Sequence, residues 1–399
     1  MAMSSITSLG TYLPPWGTTQ RRTAGDDEDA VTMAIEAGSA ARQGSGPVVR
    51  VVLVTRDFPL LEGGSGAVLL AGLGLDPDIE VTERIGGAPA ALDAITTARP
   101  HTLVIAVDLE PAGAAAAVIG ETGLSVRPVA RLARSLPVRT RDAAGATRDY
   151  GDPRLLRERG VLQSVRTAWA GTVSAVAGVD HKTATGLAGA TAPRLPTTGA
   201  SAAVFALAWM AETGSTGTLL GIEQATLTGL GVDGGAASVL RNEFQARPVP
   251  RTVLSPGPDI PISLAAYERA FDAKLRWQAS RDSATGALNF PPRLLIDAEG
   301  RLVEPGELVD LPRTGTVYTE VTVHVPVPGL PSPYSLVIVE LDEVGVRALA
   351  KTTAAEPGSI SIGDRGRMVL RRVAVRSGVP DYGYAFVPDA ARHTQKEIA

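Results

Sequence analysis

This chain cannot use cysteine chemistry, because its 399 residues include no cysteine. The first candidate arrangement is a set of four positions spaced like two C-x2-C pairs, a spacing at which four thiolates hold one tetrahedral zinc ion. Two hydroxyls, one alkyl group and one carboxylate occupy these positions and do not make a structural zinc site. We therefore expect no zinc at these four positions, which are Ser280, Ser283, Ile296 and Glu299.

A second group of side chains could exchange protons. His181 follows Asp180, so it is either a base oriented by a carboxylate or a loop histidine at the surface. Acid–base work by Asp57 or a tyrosine is a further alternative, but these residues do not lie in a recognisable motif. The tyrosines considered are Tyr150, Tyr334, Tyr382 and Tyr384.

Two runs of charge also allow alternative interpretations. Residues 26–29 are all acidic, and they form either a metal cluster or the first turn of a helix, where the macrodipole favours carboxylates. A run of arginines near the C-terminus could meet phosphate groups or an acidic partner, or could form a solvated strand face. This run comprises Arg365, Arg367, Arg371, Arg372 and Arg376.

Composition limits the classes of partner. The net charge is −4 and no half of the chain is strongly basic or acidic, so charge gives no argument for binding nucleic acid or membranes. Hydrophobic residues make up 44% and aromatic residues 4%, which favours α/β packing through small side chains. The longest apolar run is shorter than the ~20 residues of a membrane span, and the N-terminus lacks a signal-peptide pattern. We therefore expect a cytoplasmic protein.

The candidate residues named above fall in two kinds of domain. In residues 1–245, buried strands alternate with helices, which predicts a layered α/β domain with a largely parallel core. Residues 246–262 are proline-rich and indicate a linker. In residues 263–392 an amphipathic helix precedes β patterning, which predicts a small β-barrel. The strands predicted there include 317–323, 334–341, 359–362 and 368–375.

Four blocks of the first part resemble one known family, the hydroxymethylglutaryl-CoA synthases of archaeal and actinobacterial type, which belong to the thiolase superfamily. The blocks are "ITSLGTYLP", "AGDDEDAVTMAIEA", "VLVTRDFPLLEGGSGAVLLAGLGL" and "SLPVRTRDAAGATRDYGDPRLLRERG". The tail, with "GALNFPPR" and "ISIGDRGRMVLRRV", resembles the zinc-ribbon/OB-fold proteins associated with acyl-CoA thiolases. The resemblance implies a shortened thiolase-like αβαβα domain, followed by a helix, a degenerate zinc ribbon and an OB-type barrel.

The resemblance also implies where the family's reacting groups would stand. Its nucleophilic cysteine falls at or next to Ile85, at the start of a helix that would favour a thiolate. Its glutamate base falls at Arg56, the asparagine that helps to bind the thioester oxygen falls at Thr197, and its histidine falls at His181. Isoleucine cannot form an acyl-enzyme, and a guanidinium that stays protonated is a poor base. The implied active site is therefore degenerate.

We accordingly expect a non-catalytic accessory or scaffold subunit of acyl-thioester carbon–carbon bond metabolism. Its expected partners are a second copy of the chain or a catalytic thiolase-like or synthase subunit. A coenzyme A thioester and an acyl-carrier protein are further candidates, whereas a covalently bound cofactor and zinc are not expected. Two alternatives stay open: a cysteine-free enzyme of the thiolase fold, acting as retro-aldolase or acyltransferase, and a stand-alone acyl-CoA binding module. The sequence identifies no substrate-binding residue.

Overall fold

The computed structural model describes residues 3–142, 146–254, 256, 261, 263–283, 285–292, 295–296, 299–303, 306–325 and 331–391. Ten strands of the first part form one sheet: β1 (Ser4–Leu13), β2 (Arg50–Thr55), β3 (Glu80–Ile85), β4 (Thr102–Leu109), β5 (Ala112–Gly120), β6 (Leu124–Leu132), β7 (Ala175–Ala177), β8 (Gly217–Glu223), β9 (Thr226–Gly234) and β10 (Ser238–Glu243). Its helices include α1 (Ala30–Arg42), α2 (Gly66–Leu73), α3 (Ala88–Thr97), α4 (His181–Ala188) and α5 (Ala200–Thr213). A further helical segment contains Pro153–Leu155, a π-helical stretch at Leu156–Leu162, and Gln163–Ala168.

The sheet repeats one topology. Its order is β7-β8-β9-β6-β1-β5-β4-β2-β3, with β10 pairing in parallel with β1. From its outer edge, the first half has the order β3-β2-β4-β5-β1. The second half has the corresponding order β7-β8-β9-β6. Among the described residues, no strand of the second half corresponds to β3. This duplicated βα arrangement is the thiolase-like α/β fold that the sequence predicts.

Five layers follow from where the helices pack. Helices α3 and α5 contact each other and both halves of the sheet, and their apolar side chains form a central core. Helix α1 covers the outer face of the first half, whereas α4 and the segment around the π-helix cover the second. Close packing depends on small residues: a Cβ at Gly10 of β1 would lie 2.4 Å from the carbonyl oxygen of Ala37 in α1. The predicted αβαβα arrangement is therefore confirmed.

A closed barrel forms most of the C-terminal part, after helix α6 (Leu264–Arg276). Its strands are β11 (Thr314–Val323), β12 (Tyr334–Leu341), β13 (Arg347–Thr352), β14 (Arg365–Arg376) and β15 (Val379–Pro388), in the closed order β11-β12-β13-β15-β14. The predicted helix and barrel are confirmed, but the predicted strand at 359–362 is wrong. That stretch is a turn, because Ser359 donates its backbone N–H to Glu356 and Asp364 donates to Ser361.

Short ladders complete the described structure. They pair Trp16–Gly17 with Arg22–Thr23, Arg139–Arg141 with Thr147–Asp149, Val253–Leu254 with Pro331–Ser332, Gln278–Arg281 with Leu288–Asn289 and Leu308–Asp310, and Leu295–Ile296 with Leu302–Val303. A 3-10 turn follows the last barrel strand at Asp389–Ala391. None of the helices in the described ranges is long and apolar enough to cross a membrane.

The barrel packs on the α/β domain through buried charges. Arg371 of β14 is 1% exposed and its guanidinium lies 2.9 Å from a carboxylate oxygen of Glu36 in α1 and 3.9 Å from one of Glu28. Arg367 of β14 contacts the other oxygen of Glu36 at 2.8 Å. Tyr382 of β15 donates a hydrogen bond to Asp29, which also caps α1. Residues of the arginine run therefore contact residues of the acidic run at the buried interface between the barrel and the α/β domain.

Candidate functional site

Three charged side chains converge where strands of the two halves end. Arg56 directly follows β2, Asp108 lies near the end of β4, and Glu223 is the last residue of β8. The N-termini of α3 and α5 lie at the same place, since Gly87 and Gly199 are the residues before these helices. Ends of strands beside helix N-termini are where α/β folds commonly bind anionic groups.

Glu223 occupies the N-terminus of α3. Its carboxylate accepts a hydrogen bond from the backbone N–H of Gly87 at 2.8 Å, and it lies 3.4 Å from the guanidinium of Arg56. Gly87 leaves room for it, because a Cβ there would lie 2.9 Å from Oε1 of the glutamate. One negative charge is thus held between the positive end of a helix and a guanidinium, which are the groups that favour an anion.

Asp108 occupies the N-terminus of α5. It accepts hydrogen bonds from the backbone N–H groups of Ala200 and Ser201 at 2.8 and 2.9 Å, and from the Ser201 hydroxyl at 2.6 Å. Burial raises the pKa of Asp108, against the opposing effects of these hydrogen bonds and of the Arg56 charge. A Cβ at Gly199 would lie 1.9 Å from Asp108 and 2.7 Å from Arg56. Both acids are therefore built into the same corner, with Arg56 between them.

A cavity of ≈ 360 Å³ opens beside this corner. Its polar lining comes from Arg56, Glu223, Asp180, Thr183 and Arg157, and its apolar lining includes Leu156 and Val161 of the π-helical stretch. π-Helical turns are rare in proteins, and those that occur are frequently found at functional sites. A larger cleft of ≈ 910 Å³ adjoins it and shares Arg56 and Glu223; its wall includes the ladder of Arg139–Arg141 with Thr147–Asp149.

Of the four predicted positions, Ile85 and Arg56 line the same larger cleft, Thr197 contacts Ser201 beside it, and His181 lies outside both cavities. Ile85 ends β3 with a side chain 78% exposed, and it borders the larger cleft one residue before the Gly86-Gly87 pair. Arg56 is in the site, as its ion pair with Glu223 shows. Thr197 is buried, and its hydroxyl lies 2.8 Å from that of Ser201. His181 is exposed at the start of α4 and does not line either of these two cavities.

The carboxylate next to His181 has other partners. Asp180 accepts hydrogen bonds from the backbone N–H of Thr183 at 3.0 Å and from its hydroxyl at 2.7 Å, which caps α4. Asp57 lies in the site region, where its carboxylate accepts a long 3.4 Å hydrogen bond from the backbone N–H of Leu109.

The tyrosines considered for catalysis lie apart from the cavity. The hydroxyls of the buried Tyr382 and Tyr384 donate to Asp29 and to the carbonyl oxygen of Leu275, both at 2.8 Å. Tyr150 is exposed, and Tyr334 stands on the outer side of the barrel, with the Lys351 ammonium 5.2 Å from its ring centroid.

The degenerate zinc positions fall at the turns of two hairpins. Ser280 is buried in the first hairpin strand, opposite Asn289, and Ser283 lies in the turn that follows. Ile296 and Glu299 occupy the corresponding places in the second hairpin, where Ile296 is exposed. No group of three or more potential metal-binding side chains occurs within the described part of the chain.

Glu223 and Asp108 were not predicted from the sequence. Both stand at the C-terminal end of a segment whose strand pattern is recognisable, "GTLLGIE" and "HTLVIAVD". An acidic residue at the end of a buried strand was the available signal, because such ends face the binding crevice of α/β sheets.

Comparison with known proteins describes both parts of the chain. Residues 308–371 match the family model of the C-terminal OB-fold domain of ChsH2. A DUF35 domain-containing scaffold protein of Methanothermobacter thermautotrophicus is 42% identical over 59 residues, which are 14% of this chain and 44% of that protein. The chain thus spans less than half the length of this curated relative.

Solved structures of other proteins align with parts of the chain. An OleA variant of Xanthomonas campestris has a TM-score of 0.48 at 15% identity, over 58% of this chain and 98% of its own. The 3-oxoacyl-[acyl-carrier-protein] synthase III of Aquifex aeolicus has a TM-score of 0.44 at 18% identity, over 57% and 98%. A structure titled Ltp2-ChsH2(DUF35) aldolase has a TM-score of 0.25 at 25% identity, over 33% and 98%.

Proposed function

We propose that the chain is a non-catalytic accessory or scaffold subunit of acyl-thioester carbon–carbon bond metabolism. The observation that carries this proposal is the position of Glu223. In the resembled family a nucleophilic cysteine stands at the start of the helix that corresponds to α3. Here the carboxylate of Glu223 accepts the Gly87 N–H and pairs with Arg56 at that helix N-terminus.

An internal carboxylate at this position opposes acyl transfer in two ways. The N–H group that would stabilise a developing oxyanion already has an acceptor, and a second negative charge nearby is repelled. The chain also has no cysteine to form a thioester, and its Arg56 is a poor proton acceptor. The curated relative is named a scaffold protein, which further supports the proposal for this chain.

A partner subunit is part of this proposal. Strand β3 ends the sheet, and four of its six residues are exposed. Its outer edge offers backbone N–H and C=O groups to another strand. In the resembled superfamily, subunits associate through the sheet near the nucleophile helix. We therefore infer association at β3, either with a second copy or with a catalytic thiolase-like or synthase subunit, and an acyl-CoA or acyl-carrier protein as the ligand of the assembly.

Thiol release from acyl-CoA tests the proposal. The purified chain is incubated with acetyl-, acetoacetyl- and longer acyl-CoA esters, and free thiol is measured with a chromogenic reagent; a chain without cysteine gives no background. We expect no release by the chain alone. A tagged chain purified from its native host and measured by native mass spectrometry should carry a thiolase-like subunit in stoichiometric amount. Turnover by the isolated chain would contradict the proposal.

A cysteine-free enzyme is the second candidate, and the 360 Å³ cavity with Glu223 and Asp180 in its lining favours it. This alternative predicts turnover that Glu223→Gln abolishes. The matched control is Glu212→Gln, which removes a carboxylate from a partly exposed ion pair with Arg241 in the same domain. Turnover that survives Glu223→Gln would exclude this glutamate as the reacting group.

A further inference from the structure

A second cavity, of ≈ 310 Å³, lies between α6 and the turn that joins β14 to β15. None of its described lining residues belongs to the site described above. Its volume is at the lower end of the range for small-molecule sites. Among the described residues, the lining includes Pro261, Ser263, Ala266, Tyr267, Phe271, Lys274, Leu275, Arg376, Asp381 and Tyr382.

One wall of this cavity is aromatic. Tyr267 and Phe271 are four residues apart on α6, so they stand on the same face of the helix. Their ring centroids are 5.5 Å apart at an interplanar angle of 56°, and both side chains are half-buried. Burial, together with the charge of Asp381, raises the pKa of Tyr267, which keeps its hydroxyl protonated as a hydrogen-bond donor. A flat ring placed in the cavity would contact these aromatic side chains.

The lining also carries two cations on one carboxylate. Asp381 accepts a hydrogen bond from the Lys274 ammonium at 2.5 Å through Oδ1, and its Oδ2 lies 3.6 Å from Nε of Arg376. Two positive charges share a single negative charge, so the group has a net charge of about +1. An ammonium has three N–H donors and a guanidinium has five, so each cation retains donors beyond those directed at Asp381. The lining can therefore accept a second anion.

We propose that this cavity is a binding site for a planar anionic molecule of the adenine-nucleotide class. The purine ring would lie against Tyr267 and Phe271, and a phosphate would meet Lys274 and Arg376. Aromatic side chains stabilise nucleobases by stacking in nucleic-acid complexes. Bonds between guanidinium or ammonium and phosphate are among the stronger hydrogen bonds in proteins. The two halves of the cavity match the two halves of such a ligand.

Calorimetric titration of the full chain with ADP tests this site. We expect ADP to bind and Arg376→Gln to weaken it about tenfold or more. The matched control is Arg347→Gln, which removes a guanidinium of similar exposure (48% against 45%) from an ion pair with Glu340 elsewhere on the barrel. The control should bind ADP like the parent chain. Equal losses in the two variants would overturn the proposal, because the effect would then be general charge attraction.

A second pair of titrations tests the aromatic wall. Phe271→Leu keeps an apolar side chain, so thermal unfolding should show the chain folded, while its affinity for ADP falls several-fold. Its affinity for pyrophosphate, which has no ring, should be unchanged. If the parent chain gives no heat with millimolar ADP, or if it binds pyrophosphate as tightly as ADP, the proposed class of ligand is wrong. These outcomes do not depend on the assignment of the site at α3.

Discussion

Replacement of Arg371 by methionine should destabilise the protein more than any surface arginine replacement. The Arg371 guanidinium contacts Glu36 at 2.9 Å, the carbonyl oxygen of Leu370 at 3.0 Å and the hydroxyl of Tyr12 at 3.4 Å, and all of these groups lie in the buried junction between α1 and the barrel. Methionine fills much of the same volume but supplies no charge. The variant therefore isolates the electrostatic part of the contact.

The size of the effect follows from what remains buried. Glu36 keeps Arg367 and Asn242 as partners, at 2.8 and 2.7 Å. Glu28 keeps the Tyr12 hydroxyl and the Gly25 N–H as hydrogen-bond donors. Removing one member of a buried ion pair typically costs about 3–5 kcal/mol. For a chain of this length, that loss corresponds to a fall of roughly 4–6 °C in the thermal midpoint.

Thermal unfolding followed by circular dichroism measures the shift. The control is Arg365→Met, on the same strand, whose side chain is 57% exposed beside Asp342 and whose midpoint should stay close to that of the parent. Burial already raises the pKa of Glu28, an effect that Arg371 offsets. Adding Glu28→Gln to Arg371→Met should therefore recover part of the loss. Equal midpoints for Arg371→Met and Arg365→Met would refute the reasoning.

Three further results are expected. Burial alone would raise the pKa of Glu36, but Arg367 and Arg371 lower it to about 2. The ionised Glu36 therefore stabilises the fold fully above pH ~4.5, and this stabilisation is lost as the pH falls towards 2. The stability of the Glu36→Gln variant should depend less on pH in that window. Asp108→Asn should lower the free energy of unfolding in urea by about 1–3 kcal/mol, because an amide cannot accept all three hydrogen bonds. Gly199→Ala should lower the thermal midpoint because its Cβ meets Asp108, whereas Gly186→Ala, in an open helix position, should raise it slightly.

The sequence pattern within a short window was sufficient to predict strands whose own residues show a buried or alternating pattern. The uniform small apolar run of β5 and the alternation in β11 and β12 are visible in short windows of sequence, and the structure has strands there. Strand β3 could not be recognised in this way, because "EVTERI" is charged and largely exposed. Its place depends on parallel pairing with β2, a contact between segments that the sequence alone does not bring together.

The site was predictable only where chemistry and resemblance coincided. The family pattern singled out Arg56, which lies in the corner, but its ion-pair partner, Glu223, comes from the other half of the sheet. His181 attracted attention because imidazole titrates near neutral pH. Its helix turns it towards solvent instead, while Asp180 caps that helix. The duplicated topology, and not any local motif, brings the acids to the ends of the strands.

Carboxylates of the chain itself lie at the N-termini of three helices in the α/β domain, and this supports the accessory role. The helices α2, α3 and α5 lack a side-chain cap of their own. Carboxylates from strands supply it: Glu83 accepts the Ser65 N–H before α2, Glu223 serves α3, and Asp108 serves α5. A helix N-terminus that binds substrate must be left free for it, at a cost in stability. Here carboxylates of the chain accept one N–H group at α2 and at α3 and two at α5, which stabilises the fold without a ligand.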